Sequence, residues 1–336
     1  MTDLSNTPTY SLVQAGIRHM QREHDEKEQQ KLGVLRGGNT GILTADGRVL
    51  GKCARQTYLR LIGVDCDQED ASREFMFAAG RTNEDSWMDL LIRSGISANS
   101  IRREEEVPIS WTTKSGRLVT GRPDIVIGEG EGAAWVPKKG IELKLASSLW
   151  TARDVAVKGE PKAMHLMQAA HYAWQLNVPF ELWYAGRADF EISYANFFPK
   201  QGEPGSEFIQ YNDQGKARKI RPFIAGYELA WANGSLIYRR LGPAADGQWK
   251  GTPITQQGIR DYYELVDSMV LTGVMPPRPQ NVTASGEKGG YSICDYCPIK
   301  AVCDKREKGP LDVWVKEAKA WTAGLPAMGS FLLDSK

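Results

Sequence analysis

The 336-residue chain has almost no surplus of charge: 42 Lys and Arg stand against 41 Asp and Glu, a formal net of +1. That excludes a wholesale polycation, so any contact with nucleic acid must come from a local basic patch. The sequence also lacks a long apolar run, and nothing approaches the roughly 20 residues of a membrane helix. It has no internal repeat and no extended low-complexity stretch, which excludes solenoid, collagen-like and fibrous architectures. Residues 1–30 are polar, and 21–31 is charge-rich without an apolar segment, so no signal peptide is expected and the chain reads as cytoplasmic. Cysteine is scarce. Its five positions, Cys53, Cys66, Cys294, Cys297 and Cys303, are odd in number and fall in two distant groups. In a reducing compartment that is no disulfide framework. What is present is an ordinary globular balance, 41% hydrophobic and 25% charged, with ample length for a core.

Periodicity divides the chain. Residues 10–31 read as an exposed helix and 32–50 as Gly-rich turns. Helical spacing covers 54–62 and 73–96, with a break near Gly80. The period then changes to 2, and strands are expected over 104–110, 117–127 and 135–146. A helix over 161–176 and strands over 180–186 and 190–198 follow. Residues 222–241 and 255–271 read as helices. A Pro/Gly-rich linker leads to the last three cysteines, and a helix around 311–321 closes the chain. The expected class is a mixed α/β core with helical additions.

Cys294-x2-Cys297-x5-Cys303 is the sharpest local signal. A CxxC pair on a turn places two thiolates on one metal, and the third follows. The fourth ligand has to come from elsewhere, since no second CxxC and no nearby histidine exist. Cys53 is the better upstream candidate, at the head of a short helix near Arg55 and Arg60, where positive charge favours a thiolate. Cys66 reads as a plain buried thiol. Four thiolates suit either zinc or an iron–sulfur cluster, and either would clasp the two ends of the molecule together.

The second signal is acidic. Asp124 lies in Gly121-Arg122-Pro123-Asp124, and Glu142-Leu143-Lys144 follows 18 positions on. Alternation in a strand puts Glu142 and Lys144 on one face, with Ile141, Leu143 and Leu145 on the other. Two carboxylates and an ammonium at one spot either form a surface ion pair or hold a hard divalent cation such as Mg²⁺ or Mn²⁺. On the next helix, His165, Gln168 and Tyr172 share a face that can line such a site. Upstream, Glu84 offers a third carboxylate. Basic sets at Lys138-Lys139, Lys158 with Lys162, 216–221, Arg239-Arg240 and 300–308, and the tryptophans Trp150 and Trp183, are candidates for phosphate and base contacts.

Taken in order, these motifs resemble the RecB-like branch of the PD-(D/E)XK nuclease superfamily. That branch includes exonucleases with an iron–sulfur clasp, among them the CRISPR-adaptation nuclease and phage-encoded relatives. The matching residues are Asp124, Glu142-Leu143-Lys144, Gln168-x3-Tyr172, Cys53 and the three late cysteines, over about residues 50–305. The resemblance implies a restriction-endonuclease-like mixed sheet flanked by helices, with N- and C-terminal helical parts joined at the cluster. It divides the chain into an extension (1–50), a helical segment with Cys53 (51–100), the nuclease core (101–200), a helical addition and linker (201–290) and the cysteine segment with the last helix (291–336). It implies that Asp124, Glu142 and the Leu143 carbonyl bind Mg²⁺ or Mn²⁺, that Lys144 is the catalytic lysine, and that Gln168 and Tyr172 support it. Cys53, Cys294, Cys297 and Cys303 would hold a [4Fe-4S] cluster. The implied activity is exonucleolytic hydrolysis of DNA with single-stranded or frayed ends, in recombination, repair or spacer acquisition, with a partner protein from such a pathway. Many relatives carry a histidine four residues after a glycine, where this chain has Glu84 after Gly80. The departure supports the alternative of a nuclease-fold module that binds DNA or protein with little or no activity.

Overall fold

A computed structural model of the chain describes residues 33–43, 49–62, 71–104, 106–242, 245–274 and 276, and the structural statements below concern these. The expected helices at 10–31 and 311–321, Cys66, the linker, the basic set 300–308 and Cys294, Cys297 and Cys303 lie outside them.

Short strands β1 (Leu35–Arg36), β2 (Gly41–Leu43) and β3 (Val49–Gly51) open the described chain. Helices α1 (Ala54–Leu61) and α2 (Ala71–Arg93) follow, then β4 (Ile101–Arg103), β5 (Ile109–Thr112), β6 (Leu118–Gly121), β7 (Ile125–Glu129) and β8 (Val136–Leu145). A single-turn helix α3 (Leu149–Ala152) runs into a π-helical turn at Arg153–Val157. Then come α4 (Ala163–Leu176), β9 (Phe180–Gly186), β10 (Phe190–Glu191), β11 (Ile209–Tyr211), β12 (Ala217–Ile220), β13 (Phe223–Ala232), β14 (Ser235–Leu241), β15 (Lys250–Thr255) and α5 (Gln256–Thr272). The architecture is mixed α/β, with a large mixed sheet flanked by helices.

The main sheet has seven strands in the order β15-β14-β13-β9-β8-β7-β4. Its pairs are antiparallel except β8 and β9, which are parallel and joined through α4. One face carries Ile101, Ile125, Ile141 and Leu143, covered by Trp87, Met88 and Leu91 of α2. The other face joins the larger core, where α4 and α5 pack around Met167, Tyr172, Tyr262 and Tyr263. Smaller sheets, β1-β6-β5, β10-β12-β11 and β2-β3, surround it. No helix among the described residues is long and apolar enough to cross a membrane.

Five expectations are corrected. The helix expected over 222–241 is the hairpin β13–β14, so the 201–290 segment expected as a helical addition supplies three strands of the main sheet. Asn233 (φ 50°) and Gly234 (φ 78°) form its two-residue turn, the left-handed pair that an Asn-Gly connection supplies at least strain. The strand expected over 117–127 is two strands in different sheets. Pro123 has no N–H to give a ladder, and pairing stops at Arg122-Pro123-Asp124. The strand expected over 104–110 is mostly the connection between β4 and β5. The break expected at Gly80 does not occur: a single glycine costs about 1 kcal/mol against alanine, which a 23-residue helix carries. The strand expected over 190–198 shortens to the two residues of β10.

Candidate metal centre and its lysine

Asp124 sits where the chain passes from one sheet into another. Its Oδ2 accepts the main-chain amide of Leu143 at 2.6 Å. That amide would otherwise be exposed at an edge, because β7 pairs with β8 only as far as Ile141. The N–H and C=O of one strand residue point to the same side. The Leu143 carbonyl therefore faces the same open edge, beside Asp124.

Glu142 and Lys144 leave β8 on the face opposite Leu143. Glu142 is fully buried. Its Oε1 accepts a hydrogen bond from Lys144 Nζ, while Oε2 is buried with no hydrogen-bond partner. Such an orphaned oxygen carries a desolvation penalty unless a cation or donor meets it.

Two more carboxylates converge here. Glu84 comes from α2, and Glu104 directly follows β4. One oxygen each from Glu84, Glu104 and Asp124 lie within 4.8 Å of one another. Burial, with the charges of Asp124 and Glu104, pushes the Glu84 carboxyl up to about 7. Burial, then Asp124, pushes Glu142 up to about 8 against the opposing pull of Lys144. Asp124 is raised by burial too, with Lys144 and the Leu143 amide opposing. Burial alone would depress the Lys144 ammonium, but Glu142 and Asp124 outweigh it and hold it above its ordinary range. Crowding of the four acids is thus relieved in part by Lys144, by Arg103 near Glu84, and by protons held on Glu84 and Glu142.

No family model matches the chain, and no curated protein matches it.

The helix α4 closes the site from the other side. Gln168 Nε2 donates to the Tyr172 hydroxyl at 3.2 Å. Burial and the charge of Glu142 hold that hydroxyl protonated, well above its ordinary range. The Tyr172 ring lies between two glycine backbones. A Cβ on Gly37 or on Gly121 would each come within 2.5 Å of its Cε1. His165 Nδ1 meets the Tyr184 hydroxyl at 2.9 Å, and burial with the nearby Lys144 and Lys162 lowers its pKa to about 3. It is uncharged. His171 belongs to an aromatic core instead, with its Nε2 accepting from Trp111 Nε1 at 2.9 Å.

The fold therefore gathers Glu84, Asp124, Glu142, Leu143, Lys144, Gln168 and Tyr172 from α2, the β6–β7 connection, β8 and α4. Glu104 is the member that sequence reasoning missed. It lies in the charged run Arg102-Arg103-Glu104-Glu105-Glu106, which looks like any solvated surface, and the strand expected from 104 onward put it inside an element instead of at the end of β4. Cys53 is half-buried at the start of α1 and is not among the residues that converge on the acids. Of the basic candidates, Lys138 pairs with Glu129, Lys139 with Glu181, and Arg239 with Glu228. Trp183 packs against Trp87 and donates to Glu181.

Proposed function

We propose that this chain is a divalent-metal-dependent deoxyribonuclease acting on single-stranded or frayed DNA ends. The observation that carries the reading is the buried, unpartnered Oε2 of Glu142 beside Lys144 and three further carboxylates. An all-oxygen carboxylate set, with neither thiolate nor imidazole among these residues, suits a hard cation better than zinc or copper. Glu84, Glu104, Asp124, Glu142 and the Leu143 carbonyl would hold Mg²⁺ or Mn²⁺. Such an ion supplies Lewis acidity toward a phosphodiester and lowers the pKa of water.

The chain's own residues do the rest. Lys144, kept charged by its acidic neighbours, orients Glu142 and presents an ammonium to negative charge building on a phosphate oxygen. Tyr172, held by Gln168 and pinned between Gly37 and Gly121, fixes α4 against β6 and the turn after β1. Glu84 in the acid group favours a metal-competent site over the reading of an inactive binding module.

The clasp belongs to the same proposal. Cys53, Cys294, Cys297 and Cys303 would hold a [4Fe-4S] cluster. Its support is the path of the chain: Arg55 Nε, two residues past Cys53, donates to the Pro276 carbonyl at 2.6 Å. The segment that leads to the last three cysteines thus sets out beside α1, where Thr57 also meets Tyr262 of α5 at 2.9 Å.

The test is digestion of 5′- and 3′-labelled single-stranded and duplex DNA by anaerobically purified protein, with Mg²⁺, Mn²⁺ or chelator. Metal-dependent shortening is expected, lost by about a hundredfold or more in Lys144→Ala and Glu142→Gln. Absence of digestion by an iron-replete wild type overturns the nuclease reading.

A further inference from the structure

A second cluster lies beside the candidate centre and supplies none of its carboxylates. Trp150 of α3 is 37% exposed, and Tyr194 and Phe197, in the loop after β10, are 61% and 62% exposed. Large aromatics at such exposure are a loss of hydrophobic burial that scattered surface residues rarely show as a group. These three are grouped. Phe197 stands edge-on to Trp150 at 6.2 Å between ring centroids and edge-on to Tyr194 at 6.4 Å. The Arg153 guanidinium covers the Trp150 ring at 4.7 Å.

Arg153 also links the rings to two lysines through a shared carboxylate. Arg153, Lys158 and Lys162 share a single carboxylate, Asp154, at 3.3, 3.8 and 2.6 Å. The buried Arg153 Nε has no hydrogen-bond partner among the described residues. The cluster is also wired to the acidic site. Lys162 donates its main-chain amide to the Tyr184 hydroxyl at 3.1 Å, and Tyr184 stands opposite Lys144 in the β8–β9 register.

We infer that Trp150, Tyr194 and Phe197 form a stacking platform for unpaired bases of a DNA strand, with Arg153, Lys158 and Lys162 taking the phosphates. The inference rests on the nuclease reading for the identity of the strand. Every base has a flat face, so exposed rings beside cations recognise a single strand without reading its sequence. A duplex hides those faces and offers only phosphates. The platform would hold the strand that enters the site and disfavour paired DNA.

The experiment measures binding, not cleavage. Fluorescence anisotropy of a labelled thymidine strand of about 15 nucleotides is followed with wild-type protein in chelator. Tyr194→Ala with Phe197→Ala should weaken binding by about tenfold or more, given about 1–3 kcal/mol per stacked base. Trp150→Ala should act likewise, and Tyr194→Phe with Phe197→Tyr should bind as wild type. An abasic strand of the same length keeps its phosphates and loses its bases, and it should bind wild type and the double alanine variant equally weakly. Unchanged affinity of a folded double variant for the thymidine strand overturns the platform, whatever the digestion assay gives. An equal loss on the abasic strand overturns base stacking. Ring-dependent binding by a protein that digests no DNA supports the platform and rejects the nuclease reading.

Discussion

Asp124 is fastened to the backbone of the neighbouring strand: its carboxylate accepts the Leu143 amide at 2.6 Å. One oxygen of the acid is thereby fixed in place, and Glu84 and Glu104 approach it from two other elements. The preorganised part of the candidate centre is therefore this carboxylate with Glu142, and the other two acids complete the set.

Glu104 is the member no motif marks, so it is the sharpest test of the site. Glu104→Gln keeps the shape and removes the charge. It is expected to lower Mn²⁺ affinity in calorimetric titration by at least about tenfold, since losing even an outer partner of a metal costs that much. Glu84→Gln should do the same. Mn²⁺ binding indifferent to both substitutions would place the ion elsewhere.

The raised carboxyls give the metal-free protein a definite pH dependence. Glu84 and Glu142 sit near 7 and 8 in the folded chain against an ordinary 4.5. The folded state therefore binds more protons than the unfolded one across that window, and stability falls as pH rises through it. In chelator, the melting temperature should drop between about pH 5 and pH 8, and Glu142→Gln should flatten part of the slope. Added Mg²⁺ or Mn²⁺ should raise the melting temperature more at pH 8 than at pH 6, with proton release on binding. A flat profile in chelator would show that these acids ionise freely.

Gly121 tests why the motif begins with glycine. A methyl there would meet Tyr172 Cε1 at 2.5 Å and Ile109 Cδ1 at 2.8 Å. Gly121→Ala is expected to cost about 1–3 kcal/mol in denaturant unfolding and to lower activity by displacing Tyr172. Combined with Tyr172→Leu, the loss should be less than the sum of the two single losses. Strict additivity would mean that the ring is not what the methyl strikes.

Asp267 tests a polar tie between α5 and the β5–β6 hairpin. Its carboxylate is 1% exposed and accepts from Thr113, Ser115 and Arg117. Burial raises its pKa, but those donors outweigh burial and hold it below the ordinary 3.8. Its stabilising effect is therefore present above that value and lost as pH falls through the folded one. Asp267→Asn should cost about 3 kcal/mol near neutrality, because the Arg117 charge loses its partner, and the gap to wild type should close in acid. A variant as stable as wild type at pH 7 would show the tie to be neutral.

The strongly periodic elements were legible from sequence. The strands at 136–145 and 180–186 and the helices at 163–176 and 256–272 all have long, uninterrupted patterns. The hairpin at 223–241 was not, because Ala, Leu and Glu along β13 imitate a helix. The Asn233-Gly234 pair was the signal that outweighs them. Asp124, Glu142 and Lys144 were visible through spacing. The convergence of Glu84 and Glu104 was not, since it depends on how α2 crosses the sheet, which no local pattern encodes.

The parallel pairing of β8 with β9 has a consequence for assembly. A hairpin cannot make that pair; the chain must first travel through α4 and return. Glu142 and Lys144 stand on one of these strands, Tyr184 on the other, and Gln168 and Tyr172 on the helix between them. The site is thus a non-local product of the chain, completed by one of its slower contacts. The side chains gathered around Glu142 and Lys144 therefore come together only with the finished fold.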